Sequence, residues 1–214
     1  MNADDFGLSA GVNEGIVEAH VSGIVTSTSL MVDRPAAAGA AGLAREHPAL
    51  SVGLHYVEDG PEIDEPGYAA RTFAAQLERF RDLTGSDPTH VDSHHHVHMT
   101  RMSVFAPLVG PLGLPLRGDG RAHYIGAFYA HPRPGVVDPD RVREPFLLEL
   151  LATEAMAELS ELGCHPGRVT DELRSSYAGE RELELATLTE PGLRSRIEGL
   201  GLTLASFHHW REGS

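Results

Sequence analysis

Short runs of β-branched residues alternate along the chain with longer stretches in which apolar residues return every third or fourth position. Ser9 suits a helix N-cap, Val12, Ile16 and Ala19 line one face behind it, and Gly23 closes that helix. Residues 24–31 predict a strand, 35–46 an alanine-rich helix and 51–55 a second short strand. Residues 56–66, with Gly60, Pro61 and Pro66, predict a loop. Phe73, Leu77, Phe80 and Leu83 then mark the inner face of a helix over 67–83, and 89–93 predicts another strand.

The second half is less regular. Residues 114–117 predict a short strand, 118–134 a loop-rich segment and 139–156 a helix in spite of Pro145. Helix and strand templates match 157–164 equally well, and His165-Pro166-Gly167 is a clear break. A helix over 191–199 and a strand over 202–207 complete the expected order. Repeated β-then-α units predict an α/β fold with a parallel sheet, either a barrel or an open doubly wound sheet. In both, chemistry gathers at the C-terminal ends of the strands, where His55, His94, Arg117 and His165 are expected.

The length of 214 residues suits a single domain spanning 1–214. The net charge of -14 sets 31 acidic residues against 17 basic ones, all of them Arg, and such a surface repels phosphate backbones. Nucleic acid is therefore not expected as a partner, and the lack of Lys excludes a Schiff base or a phosphate-loop lysine. One cysteine, Cys164, permits no intrachain disulfide. No apolar run reaches the roughly 20 residues that span a bilayer, and no signal peptide is recognisable, so no membrane partner and a cytoplasmic location are expected. A homo-oligomer stays open.

The densest chemistry lies in 89–98, where His94-His95-His96 follows an expected strand. Imidazole is the commonest side-chain ligand for Zn2+ and its neighbours, so the cluster predicts a metal site, with Asp4-Asp5 and His55 as further ligands. In extended chain His90, Asp92 and His94 share a face, which makes Asp92 a candidate to orient a ligand imidazole. His98 qualifies as a ligand only if the chain turns helical after His94, and His95 and His96 suit substrate contacts or hydrogen bonds. Cys164 reads as a buried small residue rather than a nucleophile, Arg181 as a structural ion-pair partner, and His208-His209 as surface residues.

Five segments, occurring in order, carry a resemblance: 2–9 (Asn-Ala-Asp-Asp-Phe-Gly-Leu-Ser), 23–28 (Gly-Ile-Val-Thr-Ser-Thr), 53–55 (Gly-Leu-His), 90–98 and 164–167 (Cys-His-Pro-Gly). Together they resemble the YdjC-like carbohydrate deacetylases, the family of the chitooligosaccharide deacetylases. The resemblance implies a (β/α) barrel-like fold, a distorted or incomplete TIM-type barrel. It also implies a divalent metal ion, Mg2+ or Zn2+, on an Asp-His-His set, and hydrolysis of an N-acetyl group on a small amino sugar or short oligosaccharide. Carried onto this chain, Asp5, His55 and His94 are the metal ligands, Asp4 the general base and His165 the general acid or oxyanion partner. Arg117 orients Asp4 or contacts the sugar. Asp4 and Asp5 can exchange roles without altering the motif. Hydrolysis of another amide or ester bond, or sugar binding without turnover, are the alternatives. One departure stands out: only Met1 precedes Asn2, so the strand that should carry Asp4 and Asp5 into the site is expected to be missing or too short.

Overall fold

A computed structural model describes residues 1–58, 60–171 and 173–212. Its strands are β1 (Asn2–Phe6), β2 (Ser27–Leu30), β3 (Ser51–Tyr56), β4 (Val91–Ser93), β5 (His123–Ile125) and β6 (Ser160–Cys164). They form one parallel sheet in the order β4-β3-β2-β1-β6-β5, curled into an incomplete barrel. The helices that cover it are α1 (Ala10–Val21), α2 (Ala37–Glu46), α3 (Tyr68–Thr84), α4 (Met102–Val109), α5 (Glu144–Glu154), α6 (Ala178–Leu188) and α7 (Leu193–Gly199). None of the described helices is long and apolar enough to cross a membrane.

Local chemistry accounts for much of this. The Ser9 hydroxyl accepts from Val12 N–H, and Val12, Ile16 and Ala19 bury completely against the sheet, as their spacing predicts. Phe73, Leu77 and Phe80 of α3 are buried, and Gly85 ends that helix in left-handed geometry. Pro145 stands in the first turn of α5, where no intrahelical N–H is needed.

Several expectations are corrected. The first strand is present: Asn2–Phe6 is wholly buried and pairs with β2 on one side and β6 on the other. Its polar sequence hid it, because its inner side chains line a site rather than an apolar core. Residues 114–117 pair with the outer edge of β4 through one bridge only, Val91 to Leu116, so this run is a vestige of a strand. The expected loop 118–134 contains β5, and the expected helix 139–156 divides into a short 3-10 turn, Pro139–Val142, and α5. Residues 202–207 form no strand; the Phe207 ring instead stacks on His90 at 3.9 Å. Helix α6 was not anticipated.

The barrel interior is unusually polar. Arg117, 3% exposed, lies among Asp4, Asp92 and Glu161, and its guanidinium sits 4.7 Å from the centre of the Tyr124 ring. Tyr124 closes over Gly163, where an added Cβ would stand 2.7 Å from the phenol oxygen, so only glycine lets the ring approach the sheet.

Candidate active site

Asp4 and Asp5 follow one another in β1, and a regular strand would send them to opposite faces. Asp5 instead adopts φ 70°, and the pairing with β2 shifts register between Ala3 and Phe6. This bulge turns both carboxylates into the same cavity. Aspartate tolerates the left-handed region better than most residues, and Gly7, at φ 95°, completes the turn.

The two carboxylates have different partners. Asp4 receives Arg117 Nη1 on Oδ2 and Nη2 on Oδ1, both at 2.7 Å, and Asn2 Nδ2 on Oδ1 at 2.8 Å. Burial raises its pKa, but the guanidinium outweighs this and holds the carboxyl below its ordinary value. Asp5 receives Arg181 Nη2 on Oδ2 at 2.5 Å, while Oδ1 has no hydrogen-bond partner among the described residues. Burial again opposes ionisation, and Arg181 with the neighbouring imidazoles brings Asp5 well below the usual range.

The open Oδ1 of Asp5 faces two imidazoles: His55 Nε2 at 3.4 Å and His94 Nδ1 at 3.2 Å. His55 comes from β3. Its Nδ1 donates to Asp92 Oδ1 at 2.7 Å, and the Ser29 hydroxyl donates to the other oxygen of Asp92 at 2.8 Å. Fixing that proton on Nδ1 leaves Nε2 to point, without a hydrogen bond, at Asp5. Burial alone would lower the His55 pKa, but Asp92 and Asp5 raise it to about 10. The surroundings therefore favour a positive charge at this point. His94 begins the turn after β4, and His95 and His96 follow it at φ 52° and 53°. Ligand atoms of Asp5, His55 and His94 lie within 4.8 Å of one another. Two nitrogens and one carboxylate oxygen, two of them buried without hydrogen bonds, are a donor set that fits a divalent cation and leaves coordination positions toward the cavity.

His165, after β6, presents Nε2 at 3.9 Å from Asp4 Oδ2. Burial pushes its pKa down to about 4, so the imidazole is neutral in the resting site. The cavity is about 660 Å3 and is walled by these residues together with Tyr124, Tyr129 and Tyr177. It is large enough for a small sugar.

The remaining candidates divide cleanly. Asp92 sits behind His55, as its shared face with His94 suggested. Arg117, buried, grips Asp4 and is not among the residues that line the cavity. The chain does turn helical after His94, yet His98 is not part of the donor set: its Nδ1 meets Ser93 Oγ at 2.6 Å and its Nε2 meets the Arg117 carbonyl at 3.0 Å. His95 and His96 line the cavity, and His96 Nε2 is 3.3 Å from the Tyr124 hydroxyl. Cys164 is buried, with its thiol pKa pushed well up by burial, and His208 and His209 are exposed. Arg181 is an ion-pair partner, but its partner is Asp5 itself. Sequence reasoning missed this, along with Glu161, Tyr124 and Glu184. For Arg181 and Glu184 the signal was available: both fall on the face of α6 that carries Leu185 and Leu188, and charge on an apolar face marks a buried ionic role.

Comparison with known proteins agrees over nearly the whole chain. A carbohydrate deacetylase of Geobacillus stearothermophilus is 36% identical, with 98% of this chain and 96% of the relative covered. A chitooligosaccharide deacetylase of Enterobacter sp. (strain 638) is 37% identical, with 97% and 96% covered. The crystal structure of a candidate cellobiose-phosphate cleavage protein from Enterococcus faecalis V583 matches with TM-score 0.81 at 27% identity, over 98% of this chain and 97% of that one. The polysaccharide deacetylase of Bacillus cereus shares the fold at TM-score 0.61 and 10% identity. The family model described as YdjC-like protein matches residues 1–59 and 65–199, and the chain belongs to that family.

Proposed function

We propose that the protein is a metal-dependent carbohydrate deacetylase that hydrolyses the N-acetyl group of a small amino sugar or short oligosaccharide. The observation that carries this reading is the convergence of Asp5, His55 and His94 within 4.8 Å, beside Asp4 and His165 in one cavity. The deacetylases among its relatives supply the bond and the substrate class.

Asp5, His55 and His94 would hold a divalent ion, Mg2+ or Zn2+. When bound, such an ion supplies a Lewis acid that polarises the acetyl carbonyl and acidifies water. Asp92 keeps the His55 proton on Nδ1, so that Nε2 stays available. Asp4, oriented by Arg117, takes the proton from the attacking water as its oxygen bonds to the acetyl carbon. The amide nitrogen leaves only once protonated. His165 is neutral at rest, so the proton it delivers is the one Asp4 received, handed on once the two side chains close from 3.9 Å to hydrogen-bond distance as the nitrogen gains basicity. Acetate and the protonated amine result, and no proton is gained or lost by the protein.

The test is acetate release from N,N'-diacetylchitobiose by chelator-stripped protein with and without added Mg2+ or Zn2+. Turnover that depends on the ion and disappears in His94→Ala supports the reading. Unchanged turnover after stripping removes the metal, and binding of the sugar without acetate release removes the reaction.

A further inference from the structure

Helix α6 delivers a second ionisable group that the proposed reaction does not use. Glu184 is 0% exposed and lies three residues, almost one turn, beyond Arg181. Its Oε2 accepts the His165 main-chain N–H at 2.5 Å, and its Oε1 accepts the Tyr177 hydroxyl at 2.5 Å. The Tyr177 oxygen in turn accepts Ala130 N–H at 3.0 Å. One carboxyl therefore ties together the turn after β6, the segment leading into α6 and, through Tyr177, the main chain at Ala130, next to Tyr129 of the cavity wall.

A carboxyl in this position is costly. Burial raises its pKa from the ordinary glutamate range to about 8, against the pull of the two donors and of Arg181. Filling space needs no carboxyl, and a buried N–H needs only some acceptor. What the carboxyl adds is two acceptor oxygens on one rigid plane, so that a single group holds the His165 amide and the Tyr177 hydroxyl at a fixed spacing.

That amide belongs to a side chain with few restraints of its own. Among the described residues His165 Nδ1 has no hydrogen-bond partner, and Nε2 stands 3.9 Å from Asp4, beyond hydrogen-bond reach. Ring contacts with Tyr129 at 5.4 Å and Tyr177 at 5.7 Å confine the imidazole. Where the ring stands is thus set by where its main chain is held. Arg181 Nη1 reaches the His165 carbonyl at 3.4 Å, and Gly167 N–H donates to the Arg181 carbonyl at 3.2 Å, which fixes the same turn to the same helix.

We propose that Glu184 is a positioning residue for His165, holding its main chain through the amide so that the imidazole faces Asp4, with Tyr177 as the brace on the other oxygen. The kinetic part of the test rests on the deacetylase reading, and the spectroscopic part does not. Glu184→Gln keeps the size and one acceptor oxygen and is expected to fold and bind metal as wild type does. Its kcat falls about 10-fold to 100-fold, the scale of a reacting group displaced by about 1 Å, while KM stays within about twofold. Glu184→Ala loses more, and Tyr177→Phe less than either.

Independently of substrate, the ring signal of His165 in 13C-histidine NMR, identified by its loss in His165→Ala, moves or broadens in Glu184→Gln. A folded Glu184→Gln protein with wild-type kcat and an unmoved His165 signal overturns the proposal. So does a fall in kcat matched by an equal fall in bound metal, since that places the effect on Asp5. If Glu184→Ala does not fold, the Gln variant alone decides. If wild type releases no acetate, the function proposed above falls and the NMR comparison still decides this one.

Discussion

Asp4 and Asp5 are neighbours in sequence, equally buried and each held by one arginine, yet they occupy different chemical situations. Arg117 takes both oxygens of Asp4 in a planar fork, and Asn2 adds a third donor. Arg181 takes one oxygen of Asp5 and leaves the other to face His55 and His94. A carboxylate whose every direction but the cavity is occupied is a fixed group. One with an unshared oxygen among imidazoles is a ligand waiting for a cation. On the proposed reading, the arginines that reach the pair from residues 117 and 181 would divide a labour that the sequence motif left interchangeable, with Asp4 as the base and Asp5 as the ligand.

The largest effects should come from neutralising each carboxylate in turn. Asp4→Asn should retain its metal through dialysis and lose about 100-fold to 10,000-fold in turnover, the usual worth of a general acid or base. Asp5→Asn should lose the metal together with activity. Equal metal content in the two variants would erase the proposed division. Next comes Arg117→Met, which leaves Asp4, Asp92 and Glu161 in the interior without their shared cation. Breaking a buried pair costs about 3–5 kcal/mol, so urea unfolding should show a loss of that size or no folded protein at all. Arg181→Met, which leaves one carboxylate, Asp5, without its cation and loosens the His165 carbonyl, should lose less stability.

What was legible in the sequence follows from which residues face what. Helices α1 and α3 could be read because their inner faces are apolar and their caps are local. His55 and His94 could be read because a parallel sheet sends its strand ends to one side. Strand β1 could not, because Asn2 and Asp4 face a polar interior that breaks the usual alternation. Nor could the arginine that serves each aspartate: Arg117 and Arg181 lie 113 and 176 residues away from their partners, and no local pattern reports such a contact. The strand expected over 202–207 fails for the opposite reason, since its apolar residues cap the barrel instead of joining the sheet.

The histidines extend the comparison at smaller scale. His55, with Asp92 and Asp5 beside it, is pushed up to about 10, whereas His90 and His98, buried without a contacting carboxylate, are pushed down by that burial to about 3 and about 4. A histidine with a lowered folded pKa stabilises the fold above its unfolded value near 6.5, and that contribution is lost as pH falls toward the folded value. Between pH 7 and 5 each such residue should remove about 2 kcal/mol of unfolding free energy. His90→Phe, which keeps the stack on Phe207, should flatten the acid limb of stability by that amount, as read from urea melts at the two pH values.

The smallest effect probes the backbone that lets both carboxylates face one cavity. If Asp5 stands at φ 70° because the bulge requires it, then removing its carboxylate in two ways should separate charge from conformation. Asp5→Ala and Asp5→Gly both delete the carboxylate and both leave Arg181 without it, so these losses cancel between them. Ala keeps a Cβ in the left-handed region and Gly does not, which should make the Gly variant the more stable by about 1 kcal/mol, against the usual order of these residues within a strand. Equal stability, or a more stable Ala variant, would mean that the turn relaxes once the carboxylate is gone. The side chain's bonds to Arg181 and the imidazoles, rather than the backbone of β1, would then be what brings Asp5 to the same side as Asp4.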